Sequence, residues 1–151
     1  MPVTTGEELR VGGSPDRALL AASVAFAAAA GLGSAVAIHD DLPGEPLGIT
    51  VPLSVPAGLA IGWGAAVAAP WPMPAAALIA AVRAQRPCAS AATGALCAGI
   101  GLGCIAGTLA EPVTRGPRTW SPLTRLAITA NIAASAALVV AGLRHLAVAR
   151  R

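Results

Sequence analysis

Charge is confined to a few short segments of this chain, and that confinement constrains its fold more than any motif does. Residues 18–38, 47–82, 87–110 and 126–143 contain no Asp, Glu, Lys or Arg. A helix rising 1.5 Å per residue needs roughly 17–25 apolar residues to cross a hydrocarbon core about 30 Å thick, and every one of these runs is long enough. A soluble fold would instead have to show much of this surface to water. At 151 residues, the chain is 56% hydrophobic and only 11% charged, where a soluble domain carries about 25% charged residues. The expected fold is therefore all-α: an integral membrane four-helix bundle whose second span is broken or kinked at Pro70–Pro74.

The punctuation between the runs sets the boundaries. Residues 1–16 are polar, with glycine and proline and no apolar period, and read as a mobile cytoplasmic tail whose Ser14 or Asp16 can cap the next helix. A single four-span domain covers 17–146, with spans near 17–38, 53–82, 90–110 and 123–143, and a basic cytoplasmic tail follows at 147–151. The first run is too long for the apolar region of a signal peptide and is read as a retained helix. His39 to Pro46 is an acidic, turn-forming loop. The run from Leu47 to Val82 is too long for one straight span and too short for two. Pro70, Pro72 and Pro74 each remove a backbone donor and restrict the preceding residue, so a single interrupted crossing is expected. Such a break either lines a cavity at membrane depth or is a loop near the inner interface. Glu111-Pro112 closes the third span, and Ser121-Pro122 opens the fourth with a cap and a first-turn proline.

All ten basic residues are arginine, and lysine and tyrosine are absent, which reads as the coding bias of a GC-rich bacterial gene. Seven arginines (Arg10, Arg17, Arg83, Arg86, Arg144, Arg150, Arg151) fall on one side of the four-span arrangement and three (Arg115, Arg118, Arg125) on the other. The positive-inside bias then puts both termini in the cytoplasm and the protein in the plasma (inner) membrane. Singly scattered arginines at the ends of apolar runs do not form a phosphate-tracking groove, so no nucleic-acid partner is expected. Cys88, Cys97 and Cys104 form no C-x-x-C pair, and Cys97 and Cys104 stand about 10 Å apart along a helix, too far for a disulfide.

Candidate chemistry gathers at the outer rim. Asp40 and Asp41 follow the first helix and Glu111 follows the third, where the helix dipole is already negative, while Arg125 lies in the positive first turn of the fourth. Pairing among these groups, with help from Arg115 or Arg118, would relieve each of them. Asp40, Asp41 and Glu111 are the candidate acid–base carboxylates; His39, Arg115, Arg125, Asn131, Trp63 and Trp71 are the candidate binding residues. One histidine on this face does not make a metal site, and no motif calls for a cofactor. Asn131 is the one amide within an apolar span and shares a helical stripe with Thr124, Ile128 and Ser135, so it should face the interior, as the floor of a pocket or as an interhelical hydrogen bond. Trp120 fits an interfacial anchor, and His145 reads as a solvated residue of the cytoplasmic tail.

In the third span Ser90, Cys97, Cys104 and Glu111 recur every seven residues, with Gly94, Gly101 and Thr108 on the same face. Gly99, Gly103 and Gly107 form a second small-residue stripe, and Gly58 and Gly62 repeat that spacing in the second span; both suit close helix packing or self-association. No span carries a charge at its centre, which argues against a proton-coupled antiporter. The expected function is the binding of a hydrophobic small molecule or a partner within the bilayer, with membrane lipid as surroundings and homo-oligomerisation through the glycine faces. The alternatives are a membrane-embedded isomerase, cyclase or hydrolase acting on a lipidic or polycyclic substrate through carboxylate acid–base chemistry, and an oligomeric small transporter or channel.

Overall fold

A computed structural model describes residues 15–65, 67–86, 90–116 and 120–150. Among these there are five α-helices and no extended strands: α1 (Arg17–His39), α2 (Val55–Ile61), α3 (Pro72–Arg83), α4 (Ala91–Ala110) and α5 (Pro122–Ala149). Short 3-10 turns occupy Pro46–Gly48 and Pro112–Arg115. Three helices, α1, α4 and α5, are long and apolar enough to cross a membrane. Large apolar side chains lie exposed on their outer faces, among them Val24, Leu102, Leu109 and Val140, which suits lipid and not water.

Helix starts follow the capping residues. Asp16 Oδ1 accepts from the Leu19 amide at 3.0 Å, Ser90 Oγ from Ala92 at 3.2 Å, and Ser121 Oγ from Thr124 at 3.0 Å, each filling one of the donors a helix leaves open at its first turn. The fourth apolar run forms a longer helix than its uncharged stretch: α5 holds 28 residues and continues through Arg144 to Ala149.

The helix ends sort into a basic end and an acidic end. His145 Nδ1 near the end of α5 lies 2.9 Å from Asp16 Oδ2, and Gln85 Nε2, just past α3, donates to the Asp16 carbonyl at 3.0 Å. The ends of α3 and α5 therefore meet the start of α1. The start of α4 joins them, because Gly94 faces Gly142 and Leu146. Exposed Arg17, Arg83, Arg86, Arg144 and Arg150 ring this end, while Asp40, Asp41, Glu45 and Glu111 gather at the other. His145 is not the solvated tail residue that its arginine neighbours suggest: it is 6% exposed, drawn in by a partner 129 residues away.

The closest packing lies between α4 and α5. A Cβ on Gly101 would stand 2.6 Å from the Ser135 carbonyl, and one on Gly142 would stand 2.7 Å from the Ala98 amide, so only hydrogen fits at either position. The buried face of α4 is Gly94, Cys97, Ala98, Gly101, Cys104 and Thr108, the seven-residue stripe seen in the sequence. Gly99, Gly103 and Gly107 behave differently, since nothing among the described residues lies within 4 Å of a Cβ at any of them. Among those residues the second glycine stripe is no packing seam.

The second apolar run forms two short helices with an irregular stretch between them, and the break spans residues 62–71. Pro72 and Pro74 do not interrupt a helix; they occupy the first turn of α3, where a missing donor does no harm. Gly62 stops α2 with φ +96°, a left-handed conformation that favours glycine. Beyond it, Ala65 and Ala68 exchange backbone hydrogen bonds at 3.1 and 3.2 Å, and the Trp71 amide returns to the Leu59 carbonyl at 2.9 Å. This irregular backbone is covered by protein, as membrane depth requires: Val67 is fully buried, and its carbonyl sits where a Cβ on Gly33 of α1 would be, 2.4 Å away. Gly33 lies six residues before His39, about 9 Å along α1. The break is thus nearer the acidic end and is not a loop at the basic interface.

Candidate functional site

The break, α4 and α5 enclose a cleft of about 120 Å³ near the acidic end. Trp63, Pro70 and Met73 form one wall, Cys104 and Thr108 of α4 the other, with Glu111 and Asn131 also on its lining. Gly103 and Gly107 border it too. Their missing side chains leave the space that a bulkier stripe would fill.

Asn131 is 2% exposed. Its Nδ2 donates to Thr108 Oγ1 at 3.0 Å, tying α5 to α4. Its Oδ1 is buried without a hydrogen-bond partner, a condition that costs about 1–3 kcal/mol. Asn131 also borders the cleft.

Glu111 caps the C-terminal end of α4 and is 6% exposed. Its Oε2 accepts from the Glu45 amide at 2.9 Å. Burial pushes its carboxyl above the ordinary range; the Glu45 amide works against that, and the charge of the Glu45 side chain adds to it. A carboxyl held in this way keeps its proton to higher pH, and can then donate a hydrogen bond as well as accept one.

Indole groups fasten the acidic loop and the α4–α5 connection. Trp63 Nε1 donates to the Gly44 carbonyl at 2.8 Å, and Trp120 Nε1 to the Val113 carbonyl at 2.7 Å. Trp71 is half exposed and donates to Ser34 Oγ at 3.0 Å, away from the cleft lining.

The remaining candidates lie apart from the cleft. His39 and Asp40 bond each other at 2.6 Å, the histidine side chain 85% exposed. Asp41 is exposed, with φ +48° in the turn after α1. Arg125 is exposed on the first turn of α5. The side chain of Arg115, together with Arg118 and Cys88, lies outside the described residues. Of the three candidate carboxylates, only Glu111 reaches the cleft. Among the described residues, no cluster of three or more His, Cys, Asp and Glu could hold a metal ion.

Two contributors escaped the sequence reading. Cys104 Sγ lies 3.3 Å from Met73 Sδ in the cleft wall, and Thr108 partners Asn131. The seven-residue stripe put Cys104 and Thr108 on one face of α4, but nothing in the sequence brought Met73 or Asn131 to that face. No family model, curated protein or solved structure matches this chain.

Proposed function

We propose that the chain is a small integral membrane protein that binds the polar end of a hydrophobic molecule in the cleft between Glu111 and Asn131. In this reading α2, the break and α3 together make a fourth, interrupted crossing, completing a four-helix membrane bundle. The arginine ring around Arg17, Arg83, Arg144 and Arg150 faces the cytoplasm, as positive-inside bias favours, and the cleft opens toward the outer leaflet of the plasma membrane.

The observation that carries the reading is Asn131, a residue on the lining of a cleft whose buried carbonyl oxygen has no hydrogen-bond partner. A filled scaffold would have little reason to keep such a group, since an apolar residue of similar volume avoids the penalty. Cleft size narrows the occupant. With about 30 Å³ for each water molecule, 120 Å³ holds roughly four, enough for a hydroxyl, amide or carboxyl head and its first carbons.

A direct test uses Trp63, which borders the cleft, as a fluorescence reporter during titration with a long-chain alcohol in detergent. We expect saturable quenching, with Asn131→Leu weakening binding about tenfold, the loss of one hydrogen bond to a buried acceptor. Unchanged affinity in Asn131→Leu would sink the proposal.

An enzymatic reading has one observation in its favour, the raised pKa of Glu111, which suits a general acid. Glu111→Gln would then abolish turnover of the bound lipid while leaving its binding nearly intact. Asp40, paired with His39 away from the cleft, plays no part in this version.

A further inference from the structure

A second, apolar recess lies at the opposite end of the molecule. Ala18, Ala21 and Ala25 of α1 face Ala137, Val140 and Arg144 of α5 across a shallow groove of about 600 Å³. Its walls are methyl groups, with the one charge at the basic end. We infer that this groove seats an acyl chain of an anionic phospholipid, with the lipid phosphate held by Arg144.

Length argues for a lipid chain. From Arg144 to Ala136 the groove runs eight residues along α5, about 12 Å, slightly less than half of a hydrocarbon core about 30 Å thick. A chain anchored at Arg144 therefore ends near the bilayer midplane, as one leaflet's lipid does. A helix from a second copy would call for a face running the full thickness.

Charge argues for an anionic headgroup. Arg144 is exposed and shares this end with exposed Arg17 and Arg150. Among the described residues the carboxylate near them is Asp16, whose Oδ1 accepts from the Leu19 amide and whose Oδ2 meets His145, while Arg144 acts on it through charge. A guanidinium that a phosphate can approach at the membrane surface favours anionic over zwitterionic lipid.

The test is native mass spectrometry of the full-length protein released from detergent containing equal phosphatidylglycerol and phosphatidylcholine with identical chains. Retention of phosphatidylglycerol over phosphatidylcholine is expected. Arg144→Gln should lower that preference about fivefold, the effect of one arginine near the surface, while Arg150→Gln should leave it nearly unchanged. Ala21→Leu with Ala137→Leu fills the groove at two exposed positions and should strip both lipids without altering the thermal midpoint. Equal retention of the two lipids by the wild type overturns the proposal. So does an Arg150→Gln variant as impaired as Arg144→Gln, which would indicate diffuse charge attraction. Leucine variants that keep their lipid, or that change a dimer into a monomer, would overturn it as well, the latter pointing to a second copy in the groove.

Discussion

Glu111 and Asp16 stand at opposite ends of the bundle and are shifted in opposite directions. For Glu111 the folded state holds the proton more tightly than the ordinary value of 4.5, so its contribution is fullest below that pH. It is lost as pH rises from 4.5 through the folded value, because the unfolded chain ionises first. Thermal midpoints in detergent should therefore fall with rising pH over that window, and Glu111→Gln should remove this component of the slope. Burial pushes Asp16 upward too, but the Leu19 amide, His145 and Arg144 outweigh it and hold the carboxyl below 3.8. Its contribution is present above 3.8 and lost as pH falls through the folded value. Replacing Asp16 removes a cap worth about 1 kcal/mol and leaves the His145 ring, whose Nε2 already lacks a partner, without its carboxylate. Asp16→Ala should thus destabilise by more than a cap alone, about 2–4 kcal/mol, whereas Asp16→Asn, which can still cap α1, should lose less. Equal losses in the two variants, read from thermal unfolding, would leave the cap no separate contribution, and a loss in Asp16→Ala no larger than that of a cap alone would exclude one from the His145 contact.

At the scale of elements, the α4–α5 seam and the second glycine stripe of α4 make opposite predictions. Gly142→Val drives a side chain into the Ala98 amide and the Gly94 carbonyl, and rigid backbone on both sides cannot yield. A loss of at least about 1–3 kcal/mol is expected. Gly99→Ala meets nothing within 4 Å and should be neutral or slightly stabilising through helix propensity. Comparable losses in both variants would refute this division of α4. Three of the long elements were legible because composition alone decides them: uncharged runs flanked by caps and arginines have few other options. The interior face of α4 was legible as well, since a seven-residue recurrence maps onto one side of a helix. The break expected at Pro70–Pro74 begins at Gly62 and ends before Pro72, because Pro72 and Pro74 look like breakers but serve as helix starters once Gly62 has already turned the chain. Of the site, the rim position of Glu111 and the inward aim of Asn131 followed from local pattern. Their meeting with Met73 and Trp63 did not, because it depends on how an irregular segment folds back. His145 was misread for a similar reason: its sequence neighbours are arginines, and its spatial partner belongs to another helix.

For the whole molecule, the division into a basic and an acidic end should be visible from outside the cell. On the proposed orientation, with both termini cytoplasmic, a cysteine at Asp41 should react with a membrane-impermeant thiol reagent in intact cells, and one at Val148 should react only after permeabilisation. The described native cysteines, Cys97 and Cys104, are buried, and the unsubstituted protein provides the background. The reverse labelling pattern would invert the bundle and place the cleft on the cytoplasmic face.

The hollow at Gly33 also implies an order of construction. Residues 62–65 and 67–71 lie outside any helix, and α1 covers part of them, with the Val67 carbonyl against Gly33 and the Trp71 indole on Ser34; in the proposed crossing they are tolerated because of that cover. During synthesis that shelter exists only once α1 is already in place. Residues 47–82 fused alone behind a reporter should therefore integrate poorly, and should do so efficiently when residues 17–39 precede them, so that the first helix acts as a chaperone for the second crossing.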